Sequence, residues 1–410
     1  MLTKDESTKV GLKTNLFNKN FLLLWIGQIV SAFGDSIYNI ALMWWVLDVT
    51  GSSVVLGNVF ALSVLPRVII GPIAGVVVDR TSRKWIIVLA DLFRGVIIVW
   101  MALMALKGTL QIGHLYVIAL LISFAGAFFY PAIISSIPNI VSYKYLTRAN
   151  SLYTTGNQIS NVLGPGVGGL LIAIFGAPFV FLINGITYFF SGISEIFISM
   201  TSPPSANITI KNTVKDLKEG FHFILRRDYL MKGLITFTAL SFFIGPVDLI
   251  FAKYIKMDLG YGTKEFGILM TLFSLGIVSG GTFLSISPEI KRKYIPVIWG
   301  IVGIGSLLIL FTLFPSLWYI LILTFKIGFL FALVNILINV FVQKTVPNEK
   351  RGRVFAIIGA LTNGLLPISL ALSGYALNIV SVRILMILIG IFIVFFGLFL
   401  YTIPNIKEKI

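Results

Sequence analysis

The sequence has 410 residues, of which 57% are apolar and only 12% charged, with a mean hydropathy of +0.97. Soluble domains are about a quarter charged, so a chain of this length with half that share belongs in lipid and is not a soluble enzyme. The surplus of 32 Lys and Arg over 16 Asp and Glu gives +16, which in a soluble chain would suggest nucleic acid; here its placement follows membrane topology instead, and no nucleic-acid partner is expected.

A spanning helix needs about 20 apolar residues. Twelve such runs are predicted, near 21–47, 54–78, 85–106, 114–137, 151–175, 178–200, 230–256, 265–287, 295–314, 317–342, 354–377 and 383–403. The first is too long for a signal-peptide core and lacks a cleavage-site pattern, so it reads as a retained span. An even number of spans puts both termini on one side. That side, comprising the tails and the loops after the even spans, holds 24 of the Lys and Arg residues, against 5 on the other. By the positive-inside rule it is cytoplasmic, and the chain is expected in the cytoplasmic (inner) membrane with both termini inside.

The one long connector, 201–229, opens with Ser202-Pro203-Pro204-Ser205 and divides the spans six and six. It predicts an N-terminal six-helix bundle over 1–200 and a C-terminal bundle over 230–410. Within the connector Val214, Leu217, Phe221, Ile224 and Leu225 recur at helical spacing, with Lys211, Lys215, Lys218, Arg226 and Arg227 on other faces. This pattern predicts an amphipathic helix on the inner leaflet. Arg148-Ala149-Asn150-Ser151 before span 5 and Arg351-Gly352-Arg353-Val354 before span 11 occupy matching places, as do Leu163-Gly164-Pro165 and Leu365-Leu366-Pro367. Two related halves are a transporter arrangement.

Chemistry-bearing residues are few. There is no cysteine, and the two histidines are His114 and His222. Thiolate sites, disulfides and a metal centre are therefore not expected, nor is any cofactor. No phosphate loop occurs, which leaves an ion gradient rather than ATP as the energy source within this chain. Charges in mid-membrane are costly and are kept for function. Asp35 in span 1 and Arg67 in span 2 lie at similar depth and are expected to pair, either as a titrating site in the cavity or as a fixed ion pair. In span 7 Asp248 lies about as deep as Asp35 does in span 1, and it is expected to pair with Lys326 of span 10. Asp91 and Arg94, one turn apart in span 3, read as a structural brace, and Glu195 reads as interfacial. Asn157 with Asn161, and Asn335 with Asn339, could line a polar path or bond between helices. Tyr38, Trp44 and Trp45 read as pocket walls or as a lipid-facing belt.

Span 2 ends in Gly71-Pro72-Ile73-Ala74-Gly75-Val76-Val77-Val78-Asp79-Arg80-Thr81-Ser82-Arg83-Lys84. Gly71 and Gly75, one turn apart, are expected to let a neighbouring helix approach closely. The run resembles the loop 2–3 signature of the major facilitator superfamily, with Ser82 where Gly is commoner. Gly164-Pro165-Gly166-Val167-Gly168-Gly169 in span 5 resembles the core of the motif of that family's antiporters. Further likeness runs through Trp25-Ile26-Gly27-Gln28-Ile29-Val30-Ser31, Thr50-Gly51-Ser52, Leu65-Pro66, Ala90-Asp91 and Val346-Pro347, continuing to Phe355. Together these resemble the macrolide-efflux and siderophore-exporter branch of the drug:proton antiporters.

The resemblance implies an all-α membrane fold of two pseudo-symmetric six-helix bundles, working as a monomer in contact with membrane lipids. It implies that Asp79 latches against the start of span 11, with Gly75, Arg80, Arg83, Lys84 and Arg353 in the same device, and that Gly164, Pro165, Gly168 and Gly169 form the antiporter-type bend. Span 4 carries no arginine, where many other proton-coupled drug antiporters have one, so the coupling route is not inherited from them. The expected activity is proton-coupled efflux of a bulky amphipathic, macrolide-like small molecule. Uptake, export of a native metabolite or siderophore, and a non-transporting sensor or scaffold stand as alternatives.

Overall fold

The computed structural model describes residues 15–200, 221–287 and 294–402. Among them the chain is helical, with no strand. In lipid every backbone N–H and C=O must be satisfied within the protein, which for apolar runs of this length leaves the helix.

The helices are α1 (Lys19–Thr50), α2 (Ser53–Arg80), α3 (Arg83–Leu106), α4 (Ile112–Ile140), α5 (Leu146–Phe175) and α6 (Ala177–Ile196), then α7 (Asp228–Ile244, resuming as Val247–Lys253), α8 (Thr263–Ile286), α9 (Tyr294–Leu310), α10 (Leu317–Thr345), α11 (Asn348–Ile379) and α12 (Val382–Phe399). Eleven spans are long and apolar enough to cross a membrane. The twelfth, α9, is apolar but has 17 described residues and follows directly on the segment 288–293, which lies outside the described residues. Helix α7 breaks at Gly245-Pro246, and its end relaxes into a π-helical turn, Tyr254–Asp258. Pro165 and Pro367 both sit inside helices, α5 and α11, at matching places in the two halves.

The chain forms two compact units. The first contains the described residues to Trp45 and those from Leu62 to Met200, and the second the remainder, including Val46–Ala61. Thus the end of α1 and the start of α2 pack with the second unit. There Asp48 is ion-paired to Lys256, and a β-carbon on Gly57 would stand 2.6 Å from the carbonyl of Leu370. Each unit has an apolar core near its basic-loop end. In the first, Phe21, Val78, Ile87, Ile133, Ile137 and Ala149 pack together; in the second, Phe223, Ile224, Leu234, Val342, Val354 and Ile357 do so.

The connector is described only in its last part. Residues 201–220, with Val214 and Leu217, lie outside the described residues; 221–225 is helical. Its buried pair is Phe223 and Ile224, whereas Phe221 and Leu225 are exposed. The stretch docks on the basic-loop end of the second unit through Phe223 and Ile224, which pack with Leu234, Val342 and Val354, and the Arg227 guanidinium and Lys350 ammonium lie 3.7 and 4.6 Å from the Phe223 ring centre.

Candidate functional site

Small residues bring the helices of the first unit close enough for short polar side chains to meet. A β-carbon on Gly34 of α1 would lie 2.1 Å from Thr187 Oγ1 of α6, and one on Gly185 of α6 would lie 2.5 Å from Val99 of α3. The span-5 glycines seat α5 on α1: a β-carbon on Gly164 would lie 2.3 Å from Ser36 Oγ, and one on Gly168 would lie 3.1 Å from Ile37 Cα. Both positions adjoin Asp35. The antiporter-like motif therefore packs directly behind that carboxylate, with Pro165 and Gly169 buried alongside.

Asp35 is half-buried in α1. Its carboxylate accepts a hydrogen bond from the Tyr188 hydroxyl of α6, and Asn184, one turn earlier on α6, lies beside it. Arg94 is the cation that acts on it most strongly, with Arg67 a weaker influence. The expected Asp35–Arg67 ion pair is not formed. Arg67 is exposed, its guanidinium rests beside Gly126 of α4, about where a β-carbon there would lie 3.5 Å away, and it makes no ion pair among the described residues. Equal depth did not put the two residues on facing sides of their helices.

Deeper in the same unit Arg94 is ion-paired to Asp91. Its Nε–H also donates to the Ala90 carbonyl at 3.3 Å, and its guanidinium is sandwiched between the Phe129 and Tyr188 rings at 4.0 and 4.5 Å. Glu195, expected at the interface, is instead 1% exposed. Its Oε1 accepts from Gln28 Nε2 of α1 at 2.9 Å and from Ser191 Oγ at 3.4 Å. Asn184, Tyr188, Ser191 and Glu195 recur at four- and three-residue spacing, so α6 carries one polar stripe facing inward.

The second unit is organised otherwise. Asp248, in the first turn after the α7 break, is exposed, and so is Lys326 on α10; neither makes a hydrogen bond or ion pair among the described residues, so the expected pairing is absent. Between α7, α9, α10 and α11 lies a cavity of about 290 Å³ with Phe237, Phe331 and Leu366 on its walls and Ser241, Asn335, Thr362 and Asn363 as its polar points. Asn339 donates to Asn335 Oδ1 at 3.0 Å within α10, which holds the amide facing that space. Lys253 donates to the Leu377 carbonyl at 2.6 Å and so caps the end of α11.

In the turn after α2, Asp79 pairs with Arg83 at 3.1 Å, and Arg83 Nη1 also donates to the Ser135 carbonyl of α4 at 2.8 Å. Arg80 is exposed, and Lys84 lies 5.6 Å over the Trp85 ring. Gly71 and Gly75 are not packing glycines in this arrangement: a β-carbon on either would meet no described atom within 4 Å. Arg353 lies near the start of α11. Tyr38 and Trp44 are buried in protein rather than facing lipid.

The model of the Major Facilitator Superfamily matches residues 24–369 and, in a second match, 250–409. The chain belongs to this superfamily. It is similar to macrolide efflux protein A of Streptococcus pyogenes, 25% identical over 403 residues that cover 97% of this chain and 98% of that protein. It is also similar to the multidrug efflux pump Tap of Mycolicibacterium fortuitum, 23% identical over 404 residues covering 96% and 98%. Among solved structures it resembles the nucleoside transporter NupG in a mutant form, with a TM-score of 0.75 at 15% identity and 95% and 100% coverage. A bacterial homologue of the iron transporter ferroportin, inward-facing, gives a TM-score of 0.76 at 13% identity with the same coverage. At such identities the structures speak for the fold alone.

This facilitator-superfamily chain is thus a multi-pass membrane transporter of a small molecule. The polar cluster around Asp35 and Glu195 includes several side chains that do not stand out in the sequence. Tyr188, Asn184 and Gln28 carry no charge and so gave no alarm inside apolar runs, and Glu195 was placed at a helix end. The signal that would have found them is the pairing of periods. Gly27 and Gly34 on α1, and Gly185 and Gly192 on α6, are each seven residues apart, marking the faces on which the polar stripe must close.

Proposed function

We propose that the transporter is a proton-driven exporter of a bulky amphipathic compound, resident in the cytoplasmic membrane with both termini inside and working by alternating access. The observation that carries this reading is Asp35: a carboxylate in mid-span, half-buried, held by a neutral hydroxyl and without an ion pair. Such a group binds and loses a proton at the smallest structural cost, because no salt bridge has to break. Similarity to a macrolide efflux protein and a multidrug pump supports export over uptake, and the cavity walled by Phe237 and Phe331 suits an apolar, aromatic-stacking substrate.

In this reading Asp35 is the leading proton carrier, with Arg94 the cation that bears on it most and Arg67 a weaker one, and Asp248 is the second acid. The turn 79–84 is the conformational latch. Its Asp79–Arg83 pair is partly exposed, with Asp79 27% accessible, so Asp79 exchanges partners at little cost. Protonation removes a charge whose burial disfavours one of the two states and so shifts their balance. The test is accumulation of a fluorescent lipophilic cation or macrolide in inverted vesicles on imposing a proton gradient. Gradient-dependent uptake in wild type is expected, and its absence across a panel of such compounds would refute drug export.

A further inference from the structure

The buried charges of the first unit do not balance. Asp91 and Glu195 are 0% and 1% exposed, and Arg94, at 6%, is the guanidinium buried with them. It is committed to Asp91 through Nη2 and to the Ala90 carbonyl through Nε. Two buried oxygens remain without any hydrogen-bond partner, Asp91 Oδ2 and Glu195 Oε2. Asp91 is the charge that bears most strongly on Glu195. The two side chains approach because Gly192, three residues before Glu195, lets α6 close on α3: a β-carbon there would lie 3.3 Å from Asp91 Cβ. The other groups facing the pair are Gln28 and Asp35 from α1, Phe129 from α4, Tyr153 from α5, and Tyr188 and Ser191 from α6.

An ionised carboxylate with one oxygen orphaned at this depth loses its solvation without a counter-charge of its own, whereas a neutral acid, even with its O–H unpaired, costs far less to bury. We propose that Glu195 is a proton-binding site distinct from Asp35, neutral in this arrangement, with its O–H at Oε2 and Gln28 on Oε1, and with the neighbouring Asp91–Arg94 pair keeping it so. The proton arrives from water and forms that one O–H bond. It leaves when Arg94 moves from Asp91 toward Glu195 and stabilises the carboxylate. The use of this proton in coupling rests on the export reading above; its presence does not.

Among the described residues Glu195 is the one glutamate that lies beyond the first turn of a membrane-length helix. Glu6, Glu219, Glu265, Glu289, Glu349 and Glu408 lie in the tails, the connector, the loops or helix starts. Infrared spectroscopy of the purified transporter in lipid at neutral pH therefore tests the site without turnover. The expected result is a protonated-carboxyl C=O stretch that shifts when glutamate is 13C-labelled and disappears in Glu195→Gln, but survives Asp35→Asn and Asp248→Asn. A spectrum in which glutamate labelling moves no such band, or in which Glu195→Gln retains it in full, would overturn the proposal. The labelling arm uses wild-type protein, so the outcome holds even where a variant fails to fold. A positive band with no gradient-driven transport would refute export while leaving the site standing.

Discussion

In the first unit Asp35 is held by Tyr188, Asp91 by Arg94, and Glu195 by Gln28 and Ser191, and all of these lie between helices closed on one another by glycine. In the second unit Asp248 and Lys326 stand exposed without partners among the described residues, and the polar points on the wall of its apolar cavity are the uncharged Ser241, Asn335, Thr362 and Asn363. The same fold unit has been used in two ways. One half carries a buried cluster of titratable groups joined by hydrogen bonds and an ion pair, and the other an apolar cavity whose polar points are uncharged. Close helix packing is what separates them. Glycine also packs α8 on α10, where a β-carbon on Gly276 would lie 2.2 Å from the Phe325 carbonyl, but no charged side chain is drawn into that seam.

The comparison can be broken most forcefully at Arg94. Arg94→Ala strands Asp91 at full burial, and removing one member of a buried pair costs about 3–5 kcal/mol; thermal unfolding in detergent should show a large drop, and a near-unchanged midpoint would mean that the buried cluster does not depend on its ion pair. Tyr188→Phe deletes the hydroxyl that Asp35 accepts from. A hydrogen bond to a charged group is worth about 1.5–3 kcal/mol, so a smaller loss of stability, together with altered pH dependence of transport, is expected, and stability equal to wild type would argue that the bond is not made in the membrane.

Gly276→Ala, which forces α8 from α10 against backbone, should cost about 1–3 kcal/mol, whereas Gly75→Ala should fall within about 0.5 kcal/mol, since nothing described lies within 4 Å of it. Stability retained with transport impaired in Gly75→Ala would point to a contact made in another state and so sharpen the latch assignment. Equal destabilisation by the two substitutions would contradict the packing described. Smallest of all, Asp248→Asn and Lys326→Gln should each leave the melting curve within about 0.5 kcal/mol of wild type, and a loss as large as that of Arg94→Ala would show that the second unit hides a network of its own.

Twelve apolar runs were enough to place every helix, because lipid leaves an apolar run of that length only one backbone solution. Charges inside those runs were equally visible: Asp35, Arg67, Asp91 and Arg94 stand out against their neighbours. Which of them touch was not visible. A rise of about 1.5 Å per residue gives depth along the membrane normal, and Asp35 and Arg67 were matched on depth, but pairing also needs azimuth, and α2 turns Arg67 toward Gly126 instead. The same missing coordinate explains Glu195, whose place near the end of span 6 reads as interfacial although its side chain is buried among helices. Gly71 and Gly75 show the converse error: small residues one turn apart permit close approach without requiring it in a given arrangement.

The proposed coupling of transport to protons runs through acids of the first unit. It is tested most directly in proteoliposomes by imposing a proton gradient and comparing substrate accumulation in wild type, Asp35→Asn and Asp248→Asn. The account predicts accumulation in wild type, its loss to the level of passive leak in Asp35→Asn, and at most a partial decrease in Asp248→Asn. Full gradient-driven accumulation by Asp35→Asn would contradict it.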